Sequence, residues 1–146
     1  MSYLYCLGLV EKDMKSDQET DSKQLHTHGR RQLGKKFVGV FARDTFPFSS
    51  LKPGDMGIIN TDTNNMPGEH WVAVARGVVE PRLIFVYDSF GRKNLIKPVT
   101  ALPAGTKLHD VDLDPEQRKA EENCGQRSIA FLMVFRQCGE AVANLI

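Results

Sequence analysis

Cysteine is scarce in this chain of 146 residues: there are three, Cys6, Cys124 and Cys138. The disulfide framework of a small secreted domain shows more cysteines at paired spacings. The count therefore points to a reducing compartment, with at least one thiol free for chemistry. Long apolar runs are missing too. None approaches the roughly 18–20 residues that span a bilayer, so no membrane partner is expected. The apolar stretch from Tyr3 to Val10 has no basic residue ahead of it, and no signal peptide is expected. Neither sign of charge dominates. The 19 basic and 18 acidic residues leave a net charge of +1, which by itself neither demands nor excludes a nucleic-acid partner. Repeats, low-complexity tracts and coiled-coil heptads are absent. What is left, 41% hydrophobic and 25% charged, is the composition of an ordinary globular protein. Its length fits one domain, 1–146, large enough to bury a real core.

Along the chain, residues 1–36 form a segment that is polar from Glu11 onward. Lys12 to Lys23 within it suits either a solvated helix or a mobile loop. The folded core, 37–146, is expected to start where Phe37-Val38-Gly39-Val40-Phe41 turns apolar. Gly57–Thr61, His70–Arg76 and Leu83–Tyr87 carry the β-branched and aromatic composition of strands, with turn formers between them. The last two are joined by a short turn and should pair antiparallel. Lys107–Leu113 alternates like a fourth strand nearer an edge. After Pro115 the period becomes helical, from about Cys124 to Gly139, a residue suited to a left-handed cap. Ala141–Ile146 suits a short terminal helix. The sum is an α+β domain: a small, mainly antiparallel sheet packed on one central helix.

Four positions supply the parts of a thiol mechanism. Cys124 falls at the start of the central helix, where unpaired backbone N–H groups and the helix dipole favour a thiolate. Gly125 beside it has no side chain to obstruct a substrate. His70 opens one strand of the expected hairpin and Asp88 closes the other, which puts both at one edge of the sheet, as a base and its orienting carboxylate require. Gln117, seven positions before Cys124, could donate to an oxyanion beside the Cys124 N–H. Gln126 is its rival. Each residue also has a plain structural reading: buried thiol, rim histidine, turn aspartate, surface glutamine. The set gains weight from its completeness.

The strings Gly68-Glu69-His70-Trp71-Val72-Ala73-Val74, Tyr87-Asp88-Ser89-Phe90-Gly91, and Gln117 with Cys124-Gly125 resemble the adenovirus-type (adenain-like) cysteine proteases. That family includes the maturation proteases of virophages and Polinton-like viral elements, and shares a clan with the SUMO and ubiquitin-like-protein proteases. Val38-Gly39-Val40-Phe41-Ala42-Arg43-Asp44-Thr45-Phe46-Pro47 is similar to a further family segment, so the likeness spans roughly 38–137. It implies the papain-like architecture of the adenain type and a Cys124 nucleophile. His70 would serve as general base and acid, Asp88 as orienter, and Gln117 in the oxyanion hole. Trp71 would flank the substrate channel, with Gly125 next to it. The implied activity is viral maturation: an endopeptidase cleaving capsid precursors at small or glycine-containing sites. Its places would be assembly sites in the host cytoplasm or nucleus and the virion interior. The implied state is a monomer, with DNA or a peptide as activator and no cofactor. Asp88 stands where adenain has glutamate and SUMO-type proteases have aspartate. After Cys-Gly, where adenain-like chains usually carry a small or aromatic residue, this one has Gln126-Arg127. Neither Cys6 nor Cys138 matches the cysteine through which adenain links to its peptide.

The most basic stretch holds Arg30, Arg31, Lys35 and Lys36, which could meet phosphates or form a solvated loop. His26, His28 and Cys6 match no zinc spacing, and no metal is expected. Ser89 and Ser128 lie outside any Gly-x-Ser-x-Gly turn. The rival readings are a ubiquitin-like-protein isopeptidase, a clan acetyltransferase, and an inactive scaffold or nucleic-acid-binding module.

Overall fold

Uninterrupted β-branched and aromatic runs become strands buried on both faces. A computed structural model describes residues 2–15, 21–61, 70–92, 95–98, 101–111 and 123–146. Its strands are β1 (Phe37–Ala42), β2 (Met56–Asn60), β3 (Trp71–Arg76), β4 (Leu83–Tyr87) and β5 (Lys107–Asp110). Its helices are α1 (Tyr3–Met14), α2 (Ser22–Leu33), α3 (Cys124–Cys138) and α4 (Glu140–Ala143). The fold is α+β, with the five strands in one sheet in the order of the chain.

The sheet is mixed, which corrects the expectation of a mainly antiparallel one. β2–β3 and β3–β4 pair antiparallel, but β1–β2 and β4–β5 pair parallel. Parallel neighbours need a connection long enough to carry the chain back along the sheet. Residues 43–55 and 88–106 provide that length. Apolar alternation within a strand carries no record of its partner's direction.

Both faces of the sheet are covered, so β3 reads as a continuous apolar run. On one face, Trp71, Ala73, Ala75, Phe85 and Tyr87 pack with α3, whose residues Cys124 to Phe135 are all buried. The small side chains of Ala73 and Ala75 let that helix lie close on β3. On the other face, Val72, Val74, Ile84 and Val86 pack with Phe46, Phe48, Leu51 and Ile96.

The N-terminal segment folds onto the core. Cys6, Leu7 and Val10 line one face of α1 and are buried with α3, while Leu25, Gly29 and Leu33 do the same for α2. Asp21 caps α2 through a reciprocal pair: its Oδ1 accepts from Gln24 N at 2.8 Å, and Gln24 Oε1 accepts from Asp21 N at 3.0 Å. Gly29 is required by packing, because a Cβ there would stand 2.5 Å from the Phe37 ring. At the far end of α3, Gly139 takes φ +91° and its N–H closes the helix on Phe135 O at 3.2 Å. The buried Glu140 carboxylate then accepts from three successive backbone N–H groups, Val78, Val79 and Glu80, in the β3–β4 turn. Among the described residues, no helix is long and apolar enough to cross a membrane.

Candidate active site

The antiparallel register fixes the first pair. Ala73 stands opposite Tyr87 in the β3–β4 ladder. Continued outward, that register sets Asp88 against Val72, two residues from His70 and on the same side of the sheet. His70 Nε2 lies 2.5 Å from Asp88 Oδ1, and both residues are buried. Cys124 also acts on the imidazole, adding to Asp88 in favouring its charged form.

Cys124 is set by the packing of α3 on β3. The Trp71 N–H donates to Cys124 Sγ at 3.5 Å, and Ser128 Oγ, one turn on, donates to Trp71 O at 3.3 Å. The first residues of α3 thus lie under the first residue of β3. The Cys124 N–H belongs to the first helical turn, where backbone donors have no acceptor within the helix.

The electrostatics favour a charged pair. Burial pushes the Asp88 carboxyl up, but hydrogen bonds from His70 and Arg92, the His70 charge and the Phe90 N–H outweigh it and hold the pKa at about 2. Burial pushes His70 down, but its bonds to Asp88 and Cys124 and the charges of both raise it above the usual 6.5. The two shifts run in the directions that favour the imidazolium–carboxylate pair over its neutral form.

Asp88 is held by more than His70. Its Oδ1 also accepts from Phe90 N at 3.1 Å, and its Oδ2 accepts from Arg92 N at 3.1 Å and Arg92 Nε at 2.8 Å. The Phe90 ring lies 5.0 Å from His70, tilted by 31°, and the Arg92 guanidinium sits 5.3 Å from the Phe90 centroid. Sequence reasoning treated Asp88-Ser89-Phe90-Gly91 as a turn and passed over Arg92. The i,i+4 spacing of Asp88 and Arg92 was the available signal.

Comparison of the sequence with known proteins finds no matching family model and no matching curated protein.

The other expected site residues are placed as follows. Gln117 lies outside the described residues. Trp71 is 2% exposed, and what it brings to Cys124 is its backbone N–H. Gly125 is buried in the first turn of α3, as is Gln126. Arg127, unusual after Cys-Gly, is an internal strut. Its Nε donates to Asn123 Oδ1 at 3.0 Å and its Nη1 to the Tyr3 hydroxyl at 3.3 Å, and that hydroxyl shares a 2.7 Å hydrogen bond with Tyr87. Neither Tyr3 nor Arg127 was picked out as part of the site, because nothing local in the sequence says that residue 3 will meet residue 127.

The basic stretch divides. Arg31 pairs with Asp13 at 2.8 Å, and Lys36 lies 3.6 Å from Asp55, while Arg30 and Lys35 are exposed. His28 contacts Asp13 at 2.5 Å and His26 packs against Phe37. Among the described residues, no three His, Cys, Asp or Glu side chains converge as a metal site.

Proposed function

We propose that the chain is a thiol endopeptidase of the adenain type, acting on viral precursor proteins during particle maturation. The observation that carries this reading is the gathering of three groups at the start of β3: His70 lies 2.5 Å from Asp88, and the N–H of the next residue, Trp71, donates to Cys124 Sγ at 3.5 Å at the start of α3. The Cys124 thiolate attacks the scissile carbonyl carbon and forms a C–S bond as the carbonyl π pair moves to oxygen. The Cys124 N–H and the Gln117 amide donate to that oxyanion. His70 gives its proton to the leaving amine as the C–N bond breaks. It then takes a proton from the water that hydrolyses the thioester, which frees the acid and the thiolate. Asp88 stays ionised and keeps the ring in place.

Iodoacetamide should label Cys124 faster than Cys6 or Cys138, and Cys124→Ala should abolish cleavage of glycine-containing precursor peptides. Equal labelling of the three thiols together with no hydrolysis would instead support a non-catalytic module. A second reading, a ubiquitin-like-protein isopeptidase, is favoured by the aspartate at position 88, the residue SUMO-type proteases carry. Cleavage of a ubiquitin-like conjugate but not of capsid precursors would select it. Activation by DNA would use the exposed Arg30, Arg31, Lys35 and Lys36, of which Arg31 and Lys36 also face carboxylates. Neutralising these four residues should then remove any stimulation.

A further inference from the structure

We infer that Arg92 is a positioning residue for this site, which holds the Asp88 carboxylate in the rotation that offers Oδ1 to His70 and steadies the imidazole plane through Phe90. The inference rests on the thiol-protease reading above. The two Asp88 oxygens have separate duties. Oδ1 meets His70 and the Phe90 N–H, whereas Oδ2 accepts twice from Arg92, once from its backbone and once from its guanidinium. Any residue except proline at position 92 could supply the backbone donor. Only the side chain adds a formal charge and a contact with the Phe90 ring.

Arg92 therefore reaches His70 by two routes. One runs through the carboxylate. The other runs through Phe90, whose ring lies between 5.0 and 5.3 Å from the imidazole and the guanidinium. The Asp88 side chain is 3% exposed and that of Arg92 is 48% exposed, so a half-exposed cation covers a buried anion. Among the described residues, the charged partners of Asp88 are His70 and Arg92, and Cys124 lies beyond the imidazole. An imidazolium held against a thiolate needs a counter-charge that neither turns nor takes up a proton. Pinning Oδ2 from the solvent side prevents both.

Iodoacetamide alkylation of Cys124, followed from about pH 5 to about pH 9, tests the inference without requiring a known substrate. Arg92→Ala should slow alkylation about tenfold near pH 6 and converge on the wild-type rate near pH 9. Arg92→Lys, which restores the charge, should recover to within about threefold of wild type. The side-chain carbon of Asp88, followed by NMR, should titrate higher in Arg92→Ala than the wild-type value of about 2. A role limited to bracing the turn would lower the melting temperature and leave the pH profile unchanged. An Arg92→Ala profile that superposes on wild type overturns the inference. If that variant does not fold, Arg92→Gln takes its place under the same criterion. Wild-type Cys124 reacting no faster than Cys138 would instead sink the protease reading, and the Asp88 titration would still decide what Arg92 does.

Discussion

Replacing Asp88 with asparagine removes the one ionisation on which the site's charge balance depends, with almost no change in shape. In the folded chain the carboxyl titrates at about 2, against an ordinary value of 3.8, and its side chain is 3% exposed. A depressed carboxylate pKa stabilises the fold above the unfolded value, and that stability is lost as pH falls through the folded value. Linkage from 3.8 to about 2 gives a total of about 2.5 kcal/mol; about 1 kcal/mol of it is gone by pH 3 and about 2 kcal/mol by pH 2. Urea unfolding of wild type and Asp88→Asn should be measured at pH 5, 3 and 2, where the wild-type His70 is protonated throughout. The stability difference between the two proteins should narrow by about those amounts as pH falls. The same variant should lose roughly 10³–10⁴ of the catalytic rate at neutral pH, since an amide neither balances an imidazolium nor fixes its tautomer. A stability difference that stays constant from pH 5 to pH 2 would refute the charge pairing on which the site is built.

His70 titrates above 6.5, so the protonated imidazole should persist past that pH. Activity should then decline on the alkaline side as pH rises through the raised value, and a decline already complete at pH 6.5 would contradict this. Glu140→Leu strands the three N–H groups of the β3–β4 turn and should cost about 1–3 kcal/mol in chemical denaturation. Gly29→Ala drives a methyl to 2.5 Å from the Phe37 ring and should cost about 1–3 kcal/mol, read as a lowered melting temperature. Tyr3→Phe removes the hydroxyl shared by Tyr87 and Arg127 and should cost about 1–2 kcal/mol by the same assay.

The site was legible where local pattern and geometry coincide. A hairpin of two apolar strands forces the start of one to meet the end of the next, and this alone brought His70 toward Asp88. The helical period placed Cys124 at a helix start. Parallel pairing of β1 with β2 and of β4 with β5 left no such mark, because the connections decide it. The N-terminal helices were hidden for different reasons: residues 3–10 of α1 are apolar almost throughout and show no helical period, while α2 presents only a narrow buried stripe, Leu25-Gly29-Leu33, in an otherwise polar background. Arg127 looked like an anomaly beside the thiol and is in fact an internal strut. Glu140 gave no hint of its role, since the turn that it clamps lies 60–62 positions earlier in the chain.

The Tyr3 hydroxyl touches residues 84 and 124 positions away. Residues of α1, β4 and α3 thereby meet near Cys124, and contacts of such span form late in folding because loop closure precedes any gain from them. During synthesis α1 emerges before α3 and has no α3 to pack on until residues 124–138 are made. Timing follows from topology: a growing or clipped chain lacks the strut that joins Asn123, beside the thiol, to Tyr87, beside the carboxylate. The same distant contacts that slow assembly tie the completion of the site to the arrival of α3.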